Sequence, residues 1–410
     1  MSTQRIGLSL AAAVAAVVAP TALRAVEITA GDWKLTVSGN VNAHYIYHSC
    51  EDNPVAIDGA TACVVGPSGE DNASSISTGL LPAALAFTAS TTQGGYDLEA
   101  TFGLFPGIST NDGGSPNLQG TPGPKNTALG TTGLDIRQVY LTFGNKTMGT
   151  FMLGRNIGLF QQDAILNDMT LLGVGAGSSN YAAPTNTSLG SIGLGYIYTD
   201  WLAQINYTTP DFNGFKFTIG IFDPLEPILE TGPTPKGAPG FHGKIAYTYG
   251  DLYLSASFLS QQQEGVPVGA IDTDYDSFAF DVGGKYKFGD FEVMAYYYDG
   301  SGVGTTGLFI RSSDGLGNER DSDGFLAQVT YTFAGRTKVG VNYGESNLDT
   351  ASGENNPGLV AKNSKYTLGV YHKLTENLTL VGEFTDMESE NQAGGDNSNT
   401  TFNLGAFLAF

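Results

Sequence analysis

The chain has 410 residues, of which 14% are charged, and 40 acidic residues outnumber 19 basic ones. A soluble acidic protein of this size usually carries more charge. The mean hydropathy near zero excludes a helical membrane protein, which would show runs of about 20 apolar residues.

The N-terminus stands apart. Arg5 supplies a positive start, Ile6 to Ala19 is apolar and Ala-rich, Pro20 breaks it, and small residues follow at Ala22 and Ala25. This pattern predicts a secretory signal peptide over 1–25, too short for a spanning helix. Residues 26–410 then form one mature domain. Cys50 and Cys63 fall in one loop. In an exported chain that placement predicts a disulfide, with free thiols as the alternative.

The first predicted strand sets the pattern for the rest. Leu35, Val37, Gly39, Val41, Ala43, Tyr45 and Tyr47 fall on one face, and Thr36, Ser38, Asn40, Asn42 and His44 on the other. Successive strand side chains point to opposite faces, so one face is apolar and the other small and polar. The second strand spans about Leu80 to Thr92. The third, Tyr96 to Phe105, alternates Leu98, Ala100, Phe102 and Leu104 with Asp97, Glu99 and Thr101. Two acids in mid-strand are costly in a dry core but not in a wet lumen.

A Gly/Pro-rich connector then leads to strands at Leu134 to Phe143 and Thr150 to Arg155, and the longest connector follows, Asn156 to about Leu194. Strands six and seven are Tyr196 to Thr208 and Phe215 to Asp223. Three hairpins come next: Phe241 to Tyr249 with Leu252 to Ser260, Ser277 to Phe288 with Phe291 to Tyr298, and Gly324 to Phe333 with Thr337 to Gly344. Lys365 to Leu374, Leu378 to Thr385 and a terminal strand ending at Phe410 complete sixteen. Gly-Asp at two of the turns suits tight hairpins. Prolines avoid the strand interiors, as a ladder requires.

Connectors alternate long and short. An even strand number with short turns on one side and long loops on the other predicts an all-β, sixteen-stranded antiparallel transmembrane β-barrel with short periplasmic turns and long extracellular loops. A barrel of that size leaves an aqueous channel. Phe402, Leu404, Ala406, Leu408 and Phe410 share one face of the last strand, and no loop follows it, so the termini can meet and close the sheet. Closure matters because an open edge in lipid leaves backbone groups unpaired.

Four stretches resemble the general diffusion porins of Gram-negative bacteria, the trimeric sixteen-stranded family. They are the terminal FNLGAFLAF, TFMLGRN before the longest connector, DIRQVYLTFG on strand four, and INYTTPDFNGFKFTIGIF across strands six and seven. The last is similar to the family's I-x-Y-x-S-P-x-F-x-G-F pattern, with Thr209 in place of Ser. The resemblance implies a passive diffusion channel for small hydrophilic solutes and ions, set among outer-membrane lipid and lipopolysaccharide. It also implies a homotrimer, a third loop folded into the pore, and a terminal strand (Phe402, Leu404, Leu408, Phe410) read by the barrel-assembly machinery.

Carried over by position, the constriction would set Asp163 and Asp168 on the loop against Arg137 and Arg155 on the wall. Opposed charges across a narrow gap sort solutes by size and charge. A structural role is the alternative, the arginines pairing with nearby acids to hold the loop. Parity gives Arg137 the register of Val139 and Leu141, at the rim rather than in the eyelet. Alternation places Lys216, Lys244, Lys285, Lys287, Glu99, Asp281, Glu292 and Glu383 on the lumen face. The acidic net charge predicts weak cation preference. A sugar- or anion-selective channel is the rival function, and a barrel acting through its outer loops is a third.

No cofactor is expected. The acid runs Asp272, Asp274, Asp276 and Asp314, Asp321, Asp323 could hold loop Ca²⁺, but they lack a full calcium-loop pattern and read as solvated charge. His44, His48, His242 and His372 lie in no nucleophile motif, so no enzyme is expected. No nucleic-acid partner is expected either.

Overall fold

The computed structural model describes residues 25–51, 55–62, 71–108, 134–177, 187–227, 237–265, 269 and 272–410. The expected signal segment, apart from Ala25, and Cys63 lie outside these residues. Among them no helix is long and apolar enough to cross a membrane.

The strands of the described residues form a single antiparallel sheet. Its strands are β1 (Val26–Ala30), β2 (Trp33–Cys50), β3 (Asn72–Ser77), β4 (Ala84–Gln93), β5 (Tyr96–Pro106) and β6 (Leu134–Asn145). Next come β7 (Gly149–Ile157), β8 (Trp201–Thr208), β9 (Phe215–Phe222), β10 (Gly240–Tyr249), β11 (Leu252–Gln263) and β12 (Tyr275–Phe288). The last are β13 (Phe291–Ser301), β14 (Asp321–Phe333), β15 (Thr337–Leu348), β16 (Val360–Lys373), β17 (Leu378–Asn391) and β18 (Asp396–Ala409).

Two pairs of segments share rows. On one side of β2, β18 pairs with Asn40–Cys50 and β1 with Trp33–Val37. On its other side, β3 pairs with His44–Ser49 and β4 with Lys34–Asn40. The result is a closed barrel of 16 rows. The seam is sealed to its last residue, since the amide of Gly39 donates to the carbonyl of Phe410 and that of Phe410 to Gly39, both at 2.9 Å. Closure removes the edge that lipid would not tolerate.

The surface is inverted relative to a soluble protein. On β12, Phe278, Phe280, Val282, Tyr286 and Phe288 point out and are exposed, whereas Ser277 and Asp281 point in and are buried. Water would not leave so many large apolar side chains uncovered; hydrocarbon covers them. Aromatic pairs mark the turn-side membrane boundary from β6 to β14, stacked in Phe143–Phe151, Phe215–Tyr247 and Phe288–Phe291 and edge-to-face in Phe291–Tyr331. The hairpins on that side are tight. Gly250 and Gly289 open two-residue turns at φ +59° and +61°, the left-handed position a type II′ turn requires.

The outer half of the lumen is not empty. The long connector after β7 enters it, carrying helix α1 (Gln162–Asn167) and a 3₁₀ turn, Met169–Leu172. Phe160 and Ile197 of this connector pack with Val303, Leu308 and Phe309 of the β13–β14 connector against Phe222, Leu259 and Tyr298 of the wall. Ile165, Ile192 and Tyr196 pack on Met294, Tyr296 and Leu326.

Candidate pore constriction

The inward connector is held chiefly by wall side chains that accept its backbone N–H groups. At its start the Gln161 amide donates to Asp281 Oδ2 at 2.7 Å, and Ser257 donates to the same oxygen. Midway, Met169 N donates to Gln328 Oε1 at 2.9 Å while Gln328 Nε2 donates to Asn167 O at 2.7 Å. Further on, Val174 N and Gly175 N donate to Glu383 Oε2 at 2.7 and 2.9 Å. Asn403 Nδ2 donates to that oxygen at 2.8 Å, and the Tyr371 hydroxyl donates to Oε1 at 2.5 Å. A buried carboxylate receiving four donors is fully paired, as burial demands. A β-carbon on Gly173 would lie 2.1 Å from Glu383 Oε1, so glycine is what lets the loop approach.

The two loop acids have different surroundings. Asp163 opens α1 and faces the wall: Lys244 Nζ lies 3.2 Å from its Oδ1, and the Tyr253 hydroxyl donates to its Oδ2 at 2.8 Å. Asp168 is tied mainly to its own loop, with one wall contact, Asn342 Nδ2 donating to its Oδ1 at 3.3 Å. Its Oδ1 accepts from Thr170 N at 2.9 Å, capping the 3₁₀ turn, and its Oδ2 accepts from the Tyr196 hydroxyl at 2.9 Å. Asp168 is 3% exposed and shapes the loop rather than facing a passage.

The wall arginines also part company. A β-bulge between Gly103 and Leu104 leaves Arg137 without a ladder partner, and the extra residue re-aims the strand. Arg137 and Gln138 therefore both point inward, so the parity that set Arg137 with Val139 and Leu141 does not hold. Its Nε donates to Asp135 Oδ2 at 2.7 Å, and its guanidinium lies 5.0 Å from the Phe105 ring centre and 5.8 Å from that of Trp201. At 4% exposure it is enclosed. Arg155 is level in the ladder with Val139 and Ala203, both exposed on the outward face. It is half-buried, and its charge reaches Asp200. The structure brings neither arginine to Asp163 or Asp168. The basic group at Asp163 is Lys244.

Of the other lumen candidates, Asp281 and Glu383 are consumed by the loop, whereas Glu99, Lys216, Lys285 and Glu292 are half-buried on the turn side. Sequence reasoning missed Gln161, Gln328, Tyr371 and Asn403. Their only signal is inward parity on the wall or place in the connector, shared with many neutral neighbours. Lys365 was also missed; it is 2% exposed and donates to Thr367 Oγ1 at 3.1 Å. Phe402, Leu404 and Leu408 lie on the outward face and are exposed. Among the described residues no three His, Cys, Asp or Glu side chains converge on a metal position. Asp314 instead accepts from the Leu316 and Asn318 amides.

A closed barrel, apolar outside and polar inside, with a charged contact between wall and inward loop, defines an outer-membrane channel. The sequence signature described as Gram-negative porin matches residues 10–392, and the chain belongs to that family. It is a multi-pass barrel of the outer membrane of a Gram-negative bacterium.

The fold is similar to the outer membrane channel DcaP of Acinetobacter baumannii, at 16% identity and a TM-score of 0.68 over 93% of this chain and 99% of that one. It is also similar to OmpF of Salmonella typhi, at 12% identity and 0.57 over 94% and 100%. OmpT, an outer membrane protein of Vibrio cholerae, matches at 15% identity and 0.56 over 94% and 99%. No curated protein matches the sequence.

Proposed function

We propose that the protein is a passive diffusion channel for small hydrophilic solutes and ions, with a weak cation preference. The observation that carries this reading is the Asp163–Lys244 contact, where a charged loop meets a charged wall inside the barrel. Opposed charges at a narrowing select by size and charge without a tight site. The cation preference rests on the acidic excess of the chain, which raises local cation concentration at the mouth. Salt screens that field beyond about 8 Å, so the preference is weak.

A homotrimer is part of the reading. One OmpT structure is described as a trimer form. On this chain, paired turn-side aromatics run from β6 to β14, while β15 to β17 carry Val339, Val370, His372 and Leu380 near that level. A groove of about 460 Å³ opens there over Gly382, lined by Leu368, Val370, Leu380, Phe402 and Leu404. A second copy would fill it, and lipid and lipopolysaccharide would cover the remainder. Residues 1–25 are a signal peptide in this reading. Cys50 pairs with Cys63, and the terminal face of Phe402, Leu404, Leu408 and Phe410 is what the barrel-assembly machinery reads.

Solute entry into proteoliposomes tests the function. Unsaturable flux with a size cutoff is the expected result. Saturable flux would replace it with a substrate-selective channel, and absence of flux would leave a structural barrel.

A further inference from the structure

We infer that the connector between β13 and β14, residues 302–320, is a second constricting element, its tip lying in the lumen beside the inward loop so that the two together set the solute cutoff. The inference deepens the diffusion reading and rests on it.

The inner wall breaks its own rule where this connector lies. Inward positions of a water-filled barrel are polar, as at Asn342, Thr367, Thr385 and Asn403. Phe222 on β9, Ala279 on β12 and Tyr298 on β13 also point inward, because their neighbours Ile221, Phe278, Phe280 and Tyr297 are exposed on the outward face. Leu259 on β11 is level with Ala279 and completes an apolar patch. The connector supplies its cover. The stretch GVGTTGLFI, 302–310, sets Val303, Leu308 and Phe309 on that patch, each at most 2% exposed. In an outer loop these side chains would face water; inside the barrel they are removed from it, together with the patch.

The backbone here is held in a conformation that a free loop would not keep. Thr306, Phe309 and Arg311 have φ of +69°, +62° and +60°, in the left-handed region that β-branched and bulky residues avoid. Such strain persists only where the surroundings fix it, and it concentrates at functional segments. Two sets of contacts fix it. At the tip, the Tyr198 amide of the inward loop donates to Thr306 O at 2.8 Å. A β-carbon on Gly193 would lie 2.6 Å from Thr306 Oγ1, so the two connectors meet at a glycine. At the root, Gly302 N donates to Arg320 O at 2.9 Å. Arg311 and Arg320 are tied to Asp58 and Glu354 of neighbouring connectors, each at 2.5 Å.

Within 302–310 only Thr306 is half-buried rather than enclosed, so the tip is the part that meets the passage. The inward loop enters from β7 and this connector from β13. The opening left between them is smaller than either alone would leave, and bore and lining polarity decide what passes.

The experiment uses the full-length channel in planar bilayers in KCl, with polyethylene glycols of graded size added to read the cutoff. A variant with Gly-Ser in place of 304–309 should show single-channel conductance raised about twofold, as a wider bore requires, and should admit larger polymers. Thr306→Asp suits the left-handed backbone and should shift the reversal potential toward cations relative to Thr306→Asn; a purely structural role would leave the two alike. Phe309→Asn removes the apolar anchor and keeps the backbone conformation. It should also raise conductance and cutoff, which keeps the test decisive should the shortened variant fail to assemble. Wild-type conductance and cutoff in a heat-modifiable shortened variant or in Phe309→Asn, or equal potentials for Thr306→Asp and Thr306→Asn, would overturn the inference and leave the diffusion reading standing. A silent wild type that conducts once shortened would support the constriction and overturn passive diffusion. Silence in both would overturn the channel reading and the inference with it.

Discussion

Removing the Glu383 carboxylate should loosen the inward loop. Glu383 is 2% exposed and accepts from Val174 N, Gly175 N, Asn403 and Tyr371. In Glu383→Ala the two loop amides lose their acceptor, at about 1–3 kcal/mol for each buried group left unpaired. Water entering the vacated space recovers part of this, and lifting the desolvation of a buried charge recovers more. A net loss of about 2–4 kcal/mol in loop docking follows. That raises the undocked population by roughly 30-fold to 1,000-fold, at 1.4 kcal/mol per factor of ten. Single-channel recording reads this directly: the variant should flicker between conductance levels where wild type is quiet. Limited proteolysis should cut within 173–190 in the variant first. Glu383→Gln keeps one carbonyl acceptor and should fall between the two. Current noise and cleavage rates equal to wild type in Glu383→Ala would refute the view that this carboxylate pins the loop.

Three further outcomes are expected. Arg137→Ala strands the buried Asp135 charge and should lower the heat-unfolding midpoint on gels by an amount corresponding to about 3–5 kcal/mol; reversal potential should barely move, because Arg137 is enclosed. Lys244→Gln removes the cation facing Asp163 and should shift the reversal potential in a KCl gradient toward cations, with Asp163→Asn moving it the other way. The outer connectors carry a pH-dependent tie between Glu354 and Arg320, whose Nε lies 2.8 Å from the carboxylate. Hydrogen bonding from Arg320 holds the Glu354 carboxyl below its ordinary 4.5. A lowered folded-state pKa contributes stability that is fully present above the unfolded value and lost as pH falls through the folded one. Protection of 349–359 from protease should therefore be flat from pH 8 to 5 and decline only below about pH 4.

The strand map was legible because lipid imposes an unbroken rule on the outward face. Every predicted strand has a counterpart in the barrel, and the Gly-Asp pairs at 250–251 and 289–290 form turns. The rule ends at the membrane edge while the ladder does not. On β17, Asp386, Glu388 and Glu390 continue outward where apolar residues are no longer needed, so the strand runs to Asn391 and its connector to β18 shrinks to 392–395. Strand six was read from Tyr196, but Tyr196 donates to Asp168 and Tyr198 N to Thr306 O, which keeps both in the loop. The site was less legible for the same reason as the bulge at Arg137. A one-residue insertion in a ladder leaves composition unchanged yet reverses the face. Alternation can show that Glu383 points inward, but whether an inward acid meets water or a loop amide depends on a contact more than 200 residues away in sequence.

The channel assignment is tested most directly by conductance of the purified protein in planar bilayers. Discrete, ohmic current steps in KCl are expected, closing in three levels per inserted assembly under high voltage, with a reversal potential weakly favouring K⁺. A correctly folded, heat-modifiable barrel that inserts and passes no current, or one with strong anion selectivity, would contradict it.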